Sequence, residues 1–93
     1  MDSEVVENSE LHRFELAIEG DDLALAYYRL DGNRVVLTHT EVPYQYNGRG
    51  IGSRLAKGVF DILRKTGRKA VVKCPFLSVW ASRHPEYNDI IDG

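Results

Sequence analysis

The chain has 93 residues and is poor in several residue types at once, with one cysteine, one methionine, one tryptophan and three prolines. A single cysteine forms no internal disulfide, so no covalent staple holds the chain, and a reducing, cytoplasmic compartment is expected. No apolar run approaches the ~18 residues that span a bilayer, which excludes a transmembrane helix, and no membrane partner is expected. Met1, Asp2, Ser3 and Glu4 open the chain with acids where a secretory or transit peptide opens with bases, so neither is expected. No internal repeat and no low-complexity tract is evident. What is present argues for folding: 43% hydrophobic and 10% aromatic residues are too many for a disordered chain. The length fits one small domain, whose core buries roughly 60–65% of the unfolded surface.

Charge is unevenly spread. Asp2, Glu4, Glu7 and Glu10 stand in the first ten residues without a base, so a whole-chain charge of −2 leaves +2 for the rest. This acidic stretch has no apolar period before Leu11, and residues 1–10 are expected to fray as a tail beside a domain over residues 11–93. Between Asn47 and Lys73, eight bases face Asp61 alone, a local +7. A field of that sign suits a small polyanion or a nucleic acid, and equally a solvated helix face. The negative total and the lack of a base-reading motif weigh against nucleic acid.

Hydrophobic period divides the chain. Leu11 to Glu19 alternates, with His12, Phe14, Leu16 and Ile18 on one side, as a half-buried strand does. Leu23 to Leu30 reads as a second strand. Asp31-Gly32-Asn33 is a hairpin turn, because these residues tolerate positive φ. Arg34 to Val42 reads as a third strand, with Val35, Leu37, His39 and Glu41 on one face. Three strands joined by short turns make an antiparallel meander. Ser53 to Thr66 repeats apolar residues at three and four and reads as a helix that stops at Gly67. Ala70 to Val72 is a short buried strand. Pro75 opens a short helix over Phe76 to Arg83, and His84-Pro85 ends it. Tyr87 and Ile90 are candidates for packing. The fold class is α+β. No extended apolar patch is evident, so a monomer is expected.

The segment Gly48-Arg49-Gly50-Ile51-Gly52 lies between the third strand and the main helix. A helix start leaves backbone N–H groups unpaired and carries about half a positive charge. Glycines there let the backbone approach an anion and adopt the positive φ of an amide nest. Glycine spacing alone also fits a plain turn. A Walker loop needs Gly-Lys-Ser/Thr, which Gly52-Ser53 lacks. A dinucleotide fold places its loop after the first strand, whereas three strands precede this one.

Val42-Pro43, Asn47-Gly48-Arg49-Gly50-Ile51-Gly52 and Arg54-Leu55 together resemble the acetyl-CoA motif of the GNAT N-acetyltransferase superfamily. Asn47 stands where that motif has Gln or Arg. His39 to Pro43, Cys74-Pro75-Phe76 and Arg83 to Tyr87 extend the resemblance to the small stand-alone members, the YjdJ-type group of predicted acetyltransferases. It covers Phe14 to Ile91. The resemblance implies a compact GNAT fold, a mostly antiparallel mixed sheet with a splayed parallel strand pair, one long helix and a short C-terminal helix. It implies acetyl-CoA as co-substrate, an unidentified amine as acceptor, and no metal. The pantetheine arm would lie along Glu41 and Val42, and the pyrophosphate on Asn47, Gly48, Arg49, Gly50, Ile51, Gly52, Ser53 and Arg54, with Lys57 a further nearby cation.

Acetyl transfer to an amine needs a deprotonated amine, a polarised carbonyl and a proton for the leaving thiolate. The Val42 amide is a candidate for the carbonyl. The carboxylate that larger members carry earlier on this strand is absent from Arg34, Val35 and Val36. His39 and Glu41 are therefore the candidate base, directly or through water, or else a polar pair on a solvated strand. Cys74, between Lys73 and a helix start, is a candidate thiol in contact with the thioester or forming an acetyl-cysteine. A lone cysteine is also commonly buried for packing alone. His84 reads as a helix-end residue, and Trp80 and Phe76 as core or pocket wall. The chain thus reads as an acetyl-CoA-dependent N-acetyltransferase. A CoA or acyl-CoA-binding module with little turnover is the alternative.

Overall fold

The computed structural model describes residues 4–93, so residues 1–3 of the expected tail lie outside it. A 5-stranded sheet has the order β1 (Val5–Asn8), β2 (Arg13–Ala17), β3 (Leu23–Asp31), β4 (Arg34–Glu41) and β5 (Lys69–Val72). β1 to β4 pair antiparallel, and β4 pairs parallel with β5. The long helix α1 (Ile51–Lys65) makes the crossover between them, and α2 (Pro75–Ser82) follows β5. Two 3-10 turns, Tyr44–Tyr46 and Pro85–Ile90, complete the fold. The mixed sheet, parallel pair, long helix and short second helix are those expected.

Residues 4–10 correct the sequence reading. Val5–Asn8 is an edge strand rather than a fraying tail. Val5 enters the core opposite Leu16, and Glu7 accepts two bonds from the Arg68 guanidinium, at 2.6 and 3.1 Å. Tyr28 also donates to Glu7 at 2.5 Å. β2 starts at Arg13 rather than Leu11, because His12 turns with φ 51° and leaves the strand path.

One face of the sheet carries Phe14, Leu16, Ala26, Tyr28, Val35 and Leu37, and the helices pack there. α1 places Leu55, Ala56, Val59, Phe60 and Leu63 against it by three-four spacing. Trp80 of α2 stacks on Phe60 at 5.6 Å, and Tyr87 closes the same cluster. Full burial of each such side chain contributes about 1.5–3 kcal/mol. The other face bears Arg13, Glu15, Tyr27, His39 and Glu41, all partly or largely exposed.

β4 does not alternate throughout. Leu37 pairs with Tyr28 and His39 with Tyr27, so Thr38 is an extra residue, a bulge. Its hydroxyl donates to the Tyr27 carbonyl at 3.2 Å. The bulge reverses face parity. Val35 and Leu37 face the helices, and beyond the bulge Thr40, paired with Ala26, takes that face. His39 and Glu41 move to the open face, against the expectation that they share a face with Val35 and Leu37.

Candidate functional site

The parallel pairing of β4 and β5 ends at Leu37 and Val72. The Leu37 carbonyl then accepts from both Lys73 N (2.9 Å) and Cys74 N (3.0 Å), which turns the chain into α2. β4 runs on to Glu41 with no paired strand on that side among the described residues, so the two strands part. A cavity of about 400 Å³ lies beside this free end of β4. Thr40 and Val42 form one wall, and Tyr46, Asn47, Gly48 and Gly50 another. Ile51, Gly52 and Ser53 bring the first turn of α1 to it, and Phe76 brings α2.

The glycines act in two ways. Gly48 and Gly50 have φ of +79° and +76°, the left-handed geometry that turns successive amides in one direction. Gly50 caps α1 without a side chain, and the first intrahelical bond runs from Arg54 N to Gly50 O at 3.1 Å. The amides of Ile51, Gly52 and Ser53 therefore have no intrahelical acceptor. No acid stands in that first turn to neutralise them. Gly52 serves packing instead, since a Cβ there would lie 2.8 Å from the Phe76 ring. The helix begins at Ile51 rather than Ser53, which sets Gly52 inside it.

The loop is held from behind. Tyr46 is buried, and its hydroxyl donates to Asp22 at 2.7 Å. That bond, with burial, holds the phenol above its ordinary value. Arg49 lies over the Tyr46 ring and bonds Glu19 at 2.9 Å. The turn between β2 and β3 thus braces the loop.

Of the residues expected at the site, Val42, Asn47, Gly48, Gly50, Ile51, Gly52 and Ser53 line one cavity, whereas Glu41, Arg49 and Arg54 do not line it. Arg54 is bonded to Glu4 and Lys57 to Asp61, at 2.8 Å for the latter. Among the described residues no charged side chain lines the cavity, so backbone N–H groups are its cationic element. Cys74 is 3% exposed and lies behind Thr40, with Sγ 3.6 Å from Thr40 Oγ1. His39 Nε2 and Glu41 Oε2 are 3.1 Å apart on the open face, with the His39 ring stacked near Tyr27. Thr40 and Tyr46 escaped the sequence reading. Only the bulge turns Thr40 inward, and Tyr46 sat in a segment read as polar loop. Phe76 is pocket wall and Trp80 core, and His84 packs on Trp80 at 3.7 Å at the end of α2.

Comparison with known proteins agrees with this geometry. Residues 13–90 match the family described as GCN5-related N-acetyl-transferase. The chain is 36% identical over 75 residues to Protein NATD1 of Mus musculus, covering 78% of this chain and 68% of that one. Protein NATD1 of Danio rerio is 34% identical over 79 residues, with 81% and 72% covered. The solution structure of a GCN5-like protein from Staphylococcus aureus superposes with a TM-score of 0.72 at 26% identity, over 99% of this chain and 90% of that chain.

Proposed function

The chain belongs to the GCN5-related N-acetyltransferase family, and on that premise we propose that its cavity is an acetyl-CoA site serving transfer to an amine. One observation carries the reading: an acid-free helix start, its first amides without intrahelical acceptors, borders a cavity whose opposite wall is Thr40 and Val42, on and just past the part of β4 that has left β5. The amides from Gly48 to Ser53 hold the pyrophosphate, with the Asn47 and Ser53 side chains beside them. Arg49 and Arg54 are reserves that exchange Glu19 and Glu4 for phosphate. The backbone of Glu41 and Val42 holds the pantetheine arm. The Val42 amide, just past the last paired residue of β4, polarises the thioester carbonyl. Acetyl-CoA supplies the activated acyl group.

The amine approaches from the open face of the sheet. There the His39–Glu41 pair takes its proton, His39 as base and Glu41 orienting the ring. Cys74 lies behind Thr40 and does not line the cavity.

Titration with CoA tests the reading. Gly50→Glu places a carboxylate at the helix start and strains a residue at φ +76°, and it is expected to abolish CoA binding while the far-ultraviolet spectrum is kept. Unchanged affinity would remove the loop from the site. Thiol release from acetyl-CoA with a panel of amines separates an enzyme from a CoA holder.

A further inference from the structure

We propose that Thr40 is a catalytic residue whose hydroxyl bridges the Cys74 thiol to the reacting sulfur in the cleft. The inference rests on the acetyl-CoA assignment above and concerns groups that the assignment leaves unused. Thr40 lines the cavity, whereas Cys74 does not. The two side chains are 3.6 Å apart, within hydrogen-bonding range for sulfur. The bulge turns Thr40 to the helix face while Thr38 spends its own hydroxyl on the Tyr27 carbonyl. From the cavity, the thiol therefore stands behind the hydroxyl.

This order suits a proton relay. As the amine nitrogen bonds the carbonyl carbon, the carbon–sulfur bond breaks and its electron pair leaves on sulfur. Thr40 gives that sulfur its hydroxyl proton and takes the proton of Cys74 in the same motion. The proton the amine loses is carried by the His39–Glu41 pair and water to the Thr40 hydroxyl, which passes its own proton on to Cys74 and so restores the thiol. The products are one amide and one free thiol, with the protein unchanged. A hydroxyl alone is a poor acid toward a thiolate. The relay instead begins and ends on a thiol, so the net transfer is between two groups of the same kind. Thr40 is uncharged in the resting site, and the charge left on the buried Cys74 sulfur lasts only until the proton returns through Thr40. Cys74 acts through Thr40 as a positioning residue and forms no bond to the acetyl group.

Titration with CoA and with desulfo-CoA, which lacks the sulfur, tests the bridge without any acceptor. The native chain is expected to bind CoA about fivefold more tightly, ~1 kcal/mol. Thr40→Val is expected to erase that preference while keeping desulfo-CoA affinity, and Thr40→Ser to restore it. Cys74→Ala is expected to narrow the preference and Cys74→Ser to keep it. Equal binding of both ligands by the native chain, or a preference that survives Thr40→Val, overturns the bridge and leaves the loop assignment standing. Failure to bind either ligand overturns the loop assignment and the bridge with it. Incubation with acetyl-CoA alone is expected to leave the protein mass unchanged. A hydroxylamine-labile acetyl group on Cys74 would make the thiol a nucleophile and end the relay.

Discussion

At the scale of single residues, Gly52 and Phe76 show how closely the two helix starts meet. The Phe76 ring is 43% exposed, so it has room to move, and the direction open to it is the cavity. Gly52→Ala adds a methyl 2.8 Å from the ring. Because the ring yields, the expected cost in stability is small, below ~1 kcal/mol. The displaced ring takes ligand space, so CoA affinity is expected to fall about tenfold, ~1.4 kcal/mol. Phe76→Leu in the Gly52→Ala background is expected to recover most of it. Affinities equal to the native value in Gly52→Ala would show that ring and ligand do not compete. The sequence reading gave one role to all three glycines, but Gly52 answers to a partner 24 positions away that no local pattern reveals.

At the scale of elements, β1 decides how the N-terminal segment behaves. The Arg68 guanidinium, with the Tyr28 hydroxyl, outweighs burial and holds the Glu7 carboxyl below its usual value of 4.5. Burial first, and Glu7 beside it, push Tyr28 up to about 12. A carboxyl depressed in the folded state stabilises the fold above its unfolded value, and that contribution is lost as pH falls through the folded value. Glu7→Gln is therefore expected to be less stable at pH 7 by roughly 1.5–3 kcal/mol, the range for hydrogen bonds to charged groups. The difference from the native chain is expected to shrink once pH drops below 4.5. Urea unfolding at several pH values checks both points. Removal of residues 1–9 deletes the strand and the Val5 contact as well, and is expected to cost about 3 kcal/mol. A truncated chain with the native urea midpoint would return this segment to the status of a tail.

At the scale of the whole molecule, the +7 stretch is largely spoken for. Arg49, Arg54, Lys57, Arg64 and Arg68 pair with Glu19, Glu4, Asp61, Asp89 and Glu7. Acids from both ends of the chain and from the β2–β3 turn thus neutralise a segment that looks basic in isolation. No helix among the described residues is long and apolar enough to cross a membrane. A ligand that joins the β4 wall, the glycine loop and α2 ties three elements together, and binding then stabilises the fold by mass action. At a hundredfold excess over Kd the gain is ~2.7 kcal/mol. For a domain of this size that raises Tm by roughly 10–20 °C. Thermal unfolding with CoA is the measurement, and a Tm indifferent to CoA would contradict the site.

Local chemistry made much of this molecule readable. Alternation marked β2 and β4, three-four spacing marked α1, Gly32 and Gly67 marked turns, and the glycine run after Val42-Pro43 marked the loop that opens α1. These signals act between near neighbours, so a linear chain displays them. Register across strands and contacts between distant segments are different in kind. The bulge at Thr38 exists only against Tyr27 and Tyr28, and it alone sends His39 and Glu41 outward and Thr40 inward. β1 is too short to show a period, and its anchor Arg68 is 61 positions from Glu7. Face and partner are set by packing in three dimensions, because each depends on where another part of the chain comes to rest.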